Sequence, residues 1–122
     1  MRDIRLKVVD EFDKKLYSVS AIDFRNNKIS VHFRGNLENV FDFGDIHIIQ
    51  STELLDNNKN EVYESDLLSN GVKTFCICYD KSKALYYGVE LESNEQIPLE
   101  QLLNKKFVVV GNFYIDTARR GE

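Results

Sequence analysis

Tryptophan is absent from this 122-residue chain, proline occurs once, and the six glycines are scattered singly. Scattered glycines leave no glycine-rich turn between strand and helix, so a phosphate-cradling nucleotide site is unsupported. One proline and no low-complexity segment leave no linker, and no stretch recurs with the period of a repeat protein. The longest apolar run, FVVVG at 107–111, is far short of the roughly 20 residues that a membrane-spanning helix needs. MRDIRLKVVD carries charge at Arg2, Asp3, Arg5 and Lys7, where an export signal would be apolar, so a cytoplasmic protein without membrane attachment is expected.

Cysteine is scarce too. Cys76 and Cys78 are two apart, and on a strand that spacing puts both thiols on one face with the backbone about 6.6 Å apart, a poor fit to a disulfide. Catalytic pairs usually take the two-residue gap of CxxC, so FCICY reads as packing. His32 and His47 complete no zinc-ligand spacing with the cysteines, so neither a metal nor any other cofactor is expected.

What is present is an ordinary globular composition, 43% hydrophobic and 30% charged. The length fits one domain over residues 1–122 with a single core. Sixteen Lys and Arg against twenty Asp and Glu give a net charge of -4, which repels phosphate-rich partners on average.

Apolar residues alternate with polar ones in short bursts, the two-residue period of half-buried strands. Ile4, Leu6 and Val8 alternate with Arg5 and Lys7, and EFDKK turns the chain into LYSVSAIDF. Asn26-Asn27 makes a hairpin turn leading to Ile29, Val31 and Phe33, which leaves His32 on the wet face. VFDFGDIHIIQ resumes the sheet with a bend or bulge at Gly44-Asp45. KTFCICYD aims Phe75, Ile77 and Tyr79 at the core, and after the DKSK turn ALYYGVELE brings Leu85, Tyr87, Val89 and Leu91 into register.

One helix is expected near 98–104: Pro98 suits its first position, and Leu99, Leu102 and Leu103 form an apolar face. KKFVVVGNFYI then makes a last strand, and residues 116–122 a frayed tail. The fold class expected is mainly β, a compact and largely antiparallel sheet or a small, partly open barrel with one short helix.

Three blocks, MRDIRLKVVDEFDKKLY, QSTELLDNNKNEVYESDLL and VVVGNFYID, resemble in order and spacing those of the YopX family of phage and prophage proteins. Such proteins usually carry a Trp near the start, a Gly after the first Thr of the middle block, an Asn-Gly in its turn and a Gly before its final Asp. Here stand Val9, Glu53, Asn58-Lys59 and Ser65, and Asp116-Thr117 replaces the habitual Asn-Pro after the last strand. The resemblance implies a mainly β fold, a phage or prophage origin in a bacterial host, and self-association. It implies no reaction.

The densest cluster of chemistry-bearing side chains is DNNKNEVYESDLLSNG at 56–71. As an active site, Glu61, Glu64 and Asp66 would act as paired general acid and base. As a turn, Asp56 and Asn58 close a polar loop, Tyr63 pins it, and Asp66 accepts backbone N–H groups where the chain enters Leu67-Leu68. Strand alternation separates Glu61 and Tyr63 from Glu64, which favours the turn. The structural set is thus Asp56, Asn58, Glu61, Tyr63, Glu64 and Asp66, with Gly111 and Asn112 added, and no catalytic residue is assigned.

Function is expected to be that of a non-enzymatic phage or prophage accessory protein, self-associating or bound to a host or phage protein, because exposed sheet edges must be covered. The alternative is a small nucleic-acid-binding barrel with a basic patch of Arg25, Lys28 and Arg34 around one hairpin.

Overall fold

A computed structural model describes residues 4–120, with side chains over residues 4–116. The chain is mainly β. Eleven strands in the described residues form two antiparallel sheets, and neither closes into a barrel. By packing the chain divides into two compact units, residues 1–50 and 51–122.

The first unit holds β1 (Leu6–Asp10), β2 (Lys15–Asp23), β3 (Lys28–Arg34), β4 (Leu37–Asp42) and the start of β5 (His47–Leu55). Its turns follow from side-chain chemistry. The Asp10 carboxylate accepts the Phe12 and Asp13 N–H groups, and Asp23 accepts those of Arg25 and Asn26, each closing a tight reversal. Lys14 and Asn27 then take the left-handed conformation. Val8, Ile29, Val31 and Ile46 are buried together, with Tyr17, Phe41 and Phe43 packed against them. The alternation expected for β1 and β3 is only partly kept: Val9 is buried beside Val8, while Ile4 and Phe33 are exposed. The bend expected at Gly44-Asp45 is a 3-10 turn over Phe43–Asp45.

The second unit continues β5 and adds β6 (Glu61–Tyr63), β7 (Asp66–Ser69), β8 (Thr74–Asp80), β9 (Leu85–Glu90), β10 (Gln96–Pro98), α1 (Leu99–Asn104), β11 (Val108–Asn112) and α2 (Phe113–Arg120). Its sheet runs β10-β9-β8-β7-β11. Val62, Leu68, Phe75, Ile77, Leu99, Leu102 and Phe107 form a second buried cluster, where the Phe75 and Phe107 rings meet edge to face at 5.3 Å. The single core expected from length is therefore two clusters, because each unit's strands bury their own apolar face.

In β9 the face turned to the cluster carries Gly88 and Glu90 rather than the apolar Leu85, Tyr87 and Val89: Ile77 lies across from Gly88 and Phe75 across from Glu90, and Tyr86 packs on the cluster. Three further expectations change. Tyr79 is 43% exposed. Pro98 sits just outside α1 in extended geometry, φ -56 and ψ 143, and pairs with Tyr87. The last strand ends at Asn112, and residues 113–120 are α2 rather than strand and frayed tail; residues 121 and 122 lie outside the described residues.

Candidate functional site

The polar run after β5 folds into a knuckle whose carboxylates face the backbone. Asp56 is buried; one of its oxygens accepts the N–H groups of Asn58 and Asn60, both at 2.9 Å, and the other accepts that of Val109 on β11 at 2.8 Å. One side chain thus closes its own turn and ties that turn to a strand distant in sequence. Asp66, also buried, accepts the Tyr63 N–H at 2.7 Å across a turn that has Ser65 at its left-handed position. Glu61 accepts the Ser51 hydroxyl, and Thr52 donates to the Val62 carbonyl at 2.8 Å.

Asn112 locks the other side of the knuckle. It is 2% exposed, and its amide donates to the Ser65 hydroxyl at 3.0 Å while its carbonyl oxygen accepts the Tyr114 N–H at 3.0 Å. Asp116 reaches back to accept the Asn112 N–H at 2.7 Å. This reciprocal arrangement resembles a capping box lengthened by one residue, and it explains why a helix starts at Phe113. Gly111 leaves space for it, since a Cβ there would lie 2.5 Å from the Asp116 carboxylate.

The three acids weighed for catalysis have different surroundings. Asp66 addresses the Tyr63 N–H, Glu61 the Ser51 hydroxyl, and Glu64 lies where its charge is felt by Cys78. Ser51, Thr52, Ser65 and Asp116 complete the knuckle but do not stand out in the sequence, because their role depends on strands paired across long separations. The Asn112-to-Asp116 spacing was the one local signal of a helix start.

The basic residues are not gathered into one patch. Arg25 and Lys28 stand at one end of the β2–β3 hairpin and Arg34 at the far end of β3, where its guanidinium lies 5.5 Å from the Phe33 ring centre. Lys28 forms an ion pair with Asp42, which holds the lysine above its ordinary pKa. His32 is exposed, and His47 meets the Glu11 carboxylate at 3.1 Å. Cys76 and Cys78 are free thiols, both half-buried. Among the described residues no group of three or more His, Cys, Asp and Glu is placed to hold a metal, and no helix is long and apolar enough to cross a membrane.

The fold and knuckle define a two-sheet antiparallel protein with a cross-linked polar turn. The family model for the YopX protein matches residues 7–119, and the chain belongs to the YopX family. In overall fold it is similar to a solved structure titled "Crystal structure of protein EF1440 from Enterococcus faecalis", with a TM-score of 0.63 at 18% identity, covering 96% of this chain and 97% of that one. No curated protein matches.

Proposed function

We propose that this is a non-enzymatic accessory protein of phage or prophage origin, acting in the bacterial cytoplasm, whose first unit joins a second copy of itself through β4. The family membership supports the origin. The observation that carries the association is the state of β4, which ends its sheet and pairs on one side with β3. Leu37 and Val40 on it are 64% and 57% exposed. The Val40 N–H is taken up by the neighbouring Asn39 side chain at 3.1 Å, a local substitute for a strand partner.

An edge of this kind templates another strand, since its open N–H and C=O groups and its apolar side chains are satisfied together by pairing. Residues 1–50 carry eight Lys and Arg and eight Asp and Glu, so two copies of this unit meet without net repulsion. The non-enzymatic reading is supported by the knuckle, where Asp56 and Asp66 are engaged with backbone N–H groups.

Light scattering on a size-exclusion column tests the association. A dimer is expected at micromolar concentration, and Val40→Lys, which puts a charge on the edge without touching either buried cluster, is expected to give a monomer with an unchanged circular dichroism spectrum. A wild-type protein that elutes as a monomer overturns the reading.

A further inference from the structure

Backbone alternation decides which residues of β4 can receive a second strand. β3 and β4 pair Lys28 with Asp42, Ile29 with Phe41 and Val31 with Asn39, and the same register carries on to Asn27 and Phe43, where the Phe43 N–H donates to the Asn27 carbonyl at 2.9 Å. Hydrogen-bonded pairs recur at every second residue of an antiparallel ladder, so Phe41 and Asn39 also address β3, while Glu38, Val40 and Asp42 turn their backbone groups outward. The bond from the Val40 N–H to the Asn39 side chain agrees with this, since it occupies a donor that the ladder leaves open. Side chains alternate as well: Leu37, Asn39 and Phe41 share the face on which Phe41 meets the buried cluster, and Glu38, Val40 and Asp42 share the other.

We propose that two copies pair antiparallel about a two-fold axis at Asn39, an inference that rests on the association through β4 proposed above. Outward groups must meet outward groups, so the axis passes through a residue rather than between two. With the axis at Glu38 or at Phe41 the strands overlap over residues 37–39 or 40–42 alone, and in the first case Glu38 faces its own copy. With the axis at Val40 each Glu38 faces Asp42 of the second copy, and like charges directly opposite are destabilising. Lys28, already paired with Asp42, has one charge for both acids. With the axis at Asn39 the overlap runs over residues 37–41, no two acids are opposed, and Leu37 of each copy lies across from Phe41 of the other.

This axis also gives Asn39 a partner. In the single chain its side chain holds the Val40 N–H. In the pair that N–H donates to the Glu38 carbonyl of the second copy, and the two freed Asn39 amides meet at a non-hydrogen-bonded backbone pair, where Cα atoms stand about 4.5 Å apart. Val40 of each copy is covered by the Glu38 stem of the other. Val40→Lys replaces that cover with exposed ion pairs of little worth and sets a second lysine diagonally across the axis, which agrees with the monomer expected of that variant.

The test is oxidative cross-linking of Glu38→Cys, Asn39→Cys and Val40→Cys in the full chain, read on a non-reducing gel with peptide mapping of the link, and with the wild type as the control for Cys76 and Cys78. A Cα separation of about 4.5 Å suits a disulfide, so Asn39→Cys is expected to become a covalent dimer linked at position 39 of both chains. Glu38→Cys and Val40→Cys, whose positions face a different residue of the second copy, are expected to stay largely uncross-linked. Light scattering of the reduced wild type separates the two ways of failing. A monomer removes the β4 association and this axis with it, whereas a dimer in which Asn39→Cys does not cross-link, or in which Glu38→Cys or Val40→Cys does so in its place, overturns the axis and leaves the association standing.

Discussion

Glu53, Lys59 and Ser65 all adopt the left-handed backbone region, with φ of 66, 64 and 66. These are the three positions in the middle block where the resemblance to the YopX pattern would place glycine, and here side chains hold a left-handed geometry that they resist. Lys59 is the clearest case, since it closes the Asp56 turn by donating its N–H to the Asp56 carbonyl at 3.0 Å. Lys59→Gly is expected to stabilise the protein by about 0.5–1 kcal/mol, the relief of left-handed strain exceeding the extra unfolded-state entropy. Urea unfolding should show a higher midpoint with an unchanged slope; a lower midpoint would place the strain elsewhere. Asp56→Ala should act strongly in the other direction, by about 3 kcal/mol, because three N–H groups lose a charged acceptor and that of Val109 is left within the structure. A loss below about 1 kcal/mol in the same measurement would mean that water replaces the carboxylate. The turn chemistry of Asp56 is legible from the composition of the loop. Its reach to Val109 is not, because it spans 53 residues and depends on β11 being laid beside the knuckle.

At the scale of elements, the alternation of apolar residues locates most strands but does not reveal the buried face of β9. Leu85, Tyr87 and Val89 look like the core set because they are apolar, yet the residues facing the core are Tyr86, Gly88 and Glu90. The reason is space. α1 presses its Leu102 so close to β9 that a Cβ on Gly88 would lie 2.5 Å from Leu102 Cδ1 and 3.0 Å from Phe75 Cβ. Glycine is the residue that fits beneath the helix, and a hydropathy pattern does not register it. Glu90 in turn is held below the ordinary carboxylate range by the Glu92 N–H first and then by the Ser93 side chain and N–H, which explains an acid at the end of a core-facing row. Gly88→Ala is therefore expected to destabilise by about 1–3 kcal/mol through overpacking. The companion Leu102→Ala, Gly88→Ala double variant should recover part of that loss relative to the sum of the single changes, since the two atoms compete for one volume. Simple additivity in chemical unfolding would show that the helix shifts rather than clashes. The helix start at Phe113 was missed for a related reason: strand-forming residues lie on both sides of Gly111-Asn112, and the capping by Asn112 and Asp116 overrides those that follow.

Across the whole molecule charge is divided unevenly. The net -4 falls entirely on residues 51–122, which carry eight Lys and Arg against twelve Asp and Glu, while residues 1–50 are balanced. Balance matters for the choice between a copy of the chain and a nucleic acid as the partner of the first unit. Phosphate binding by Arg25, Lys28 and Arg34 would release counterions and weaken steeply with salt, whereas pairing of two β4 edges buries Leu37 and Val40 and exchanges backbone hydrogen bonds, neither of which salt screens. Lys28 is already in an ion pair with Asp42, which lowers its value to a phosphate. The dimer is accordingly expected to persist when ionic strength rises from about 0.05 M to about 0.5 M, a range over which the screening length falls several-fold. Light scattering at both salt concentrations measures this directly, and a gel shift of DNA or RNA under the low-salt condition is expected to show no retardation. A complex that forms with nucleic acid and dissolves with salt would transfer the function from the β4 edge to the basic residues of the β2–β3 hairpin.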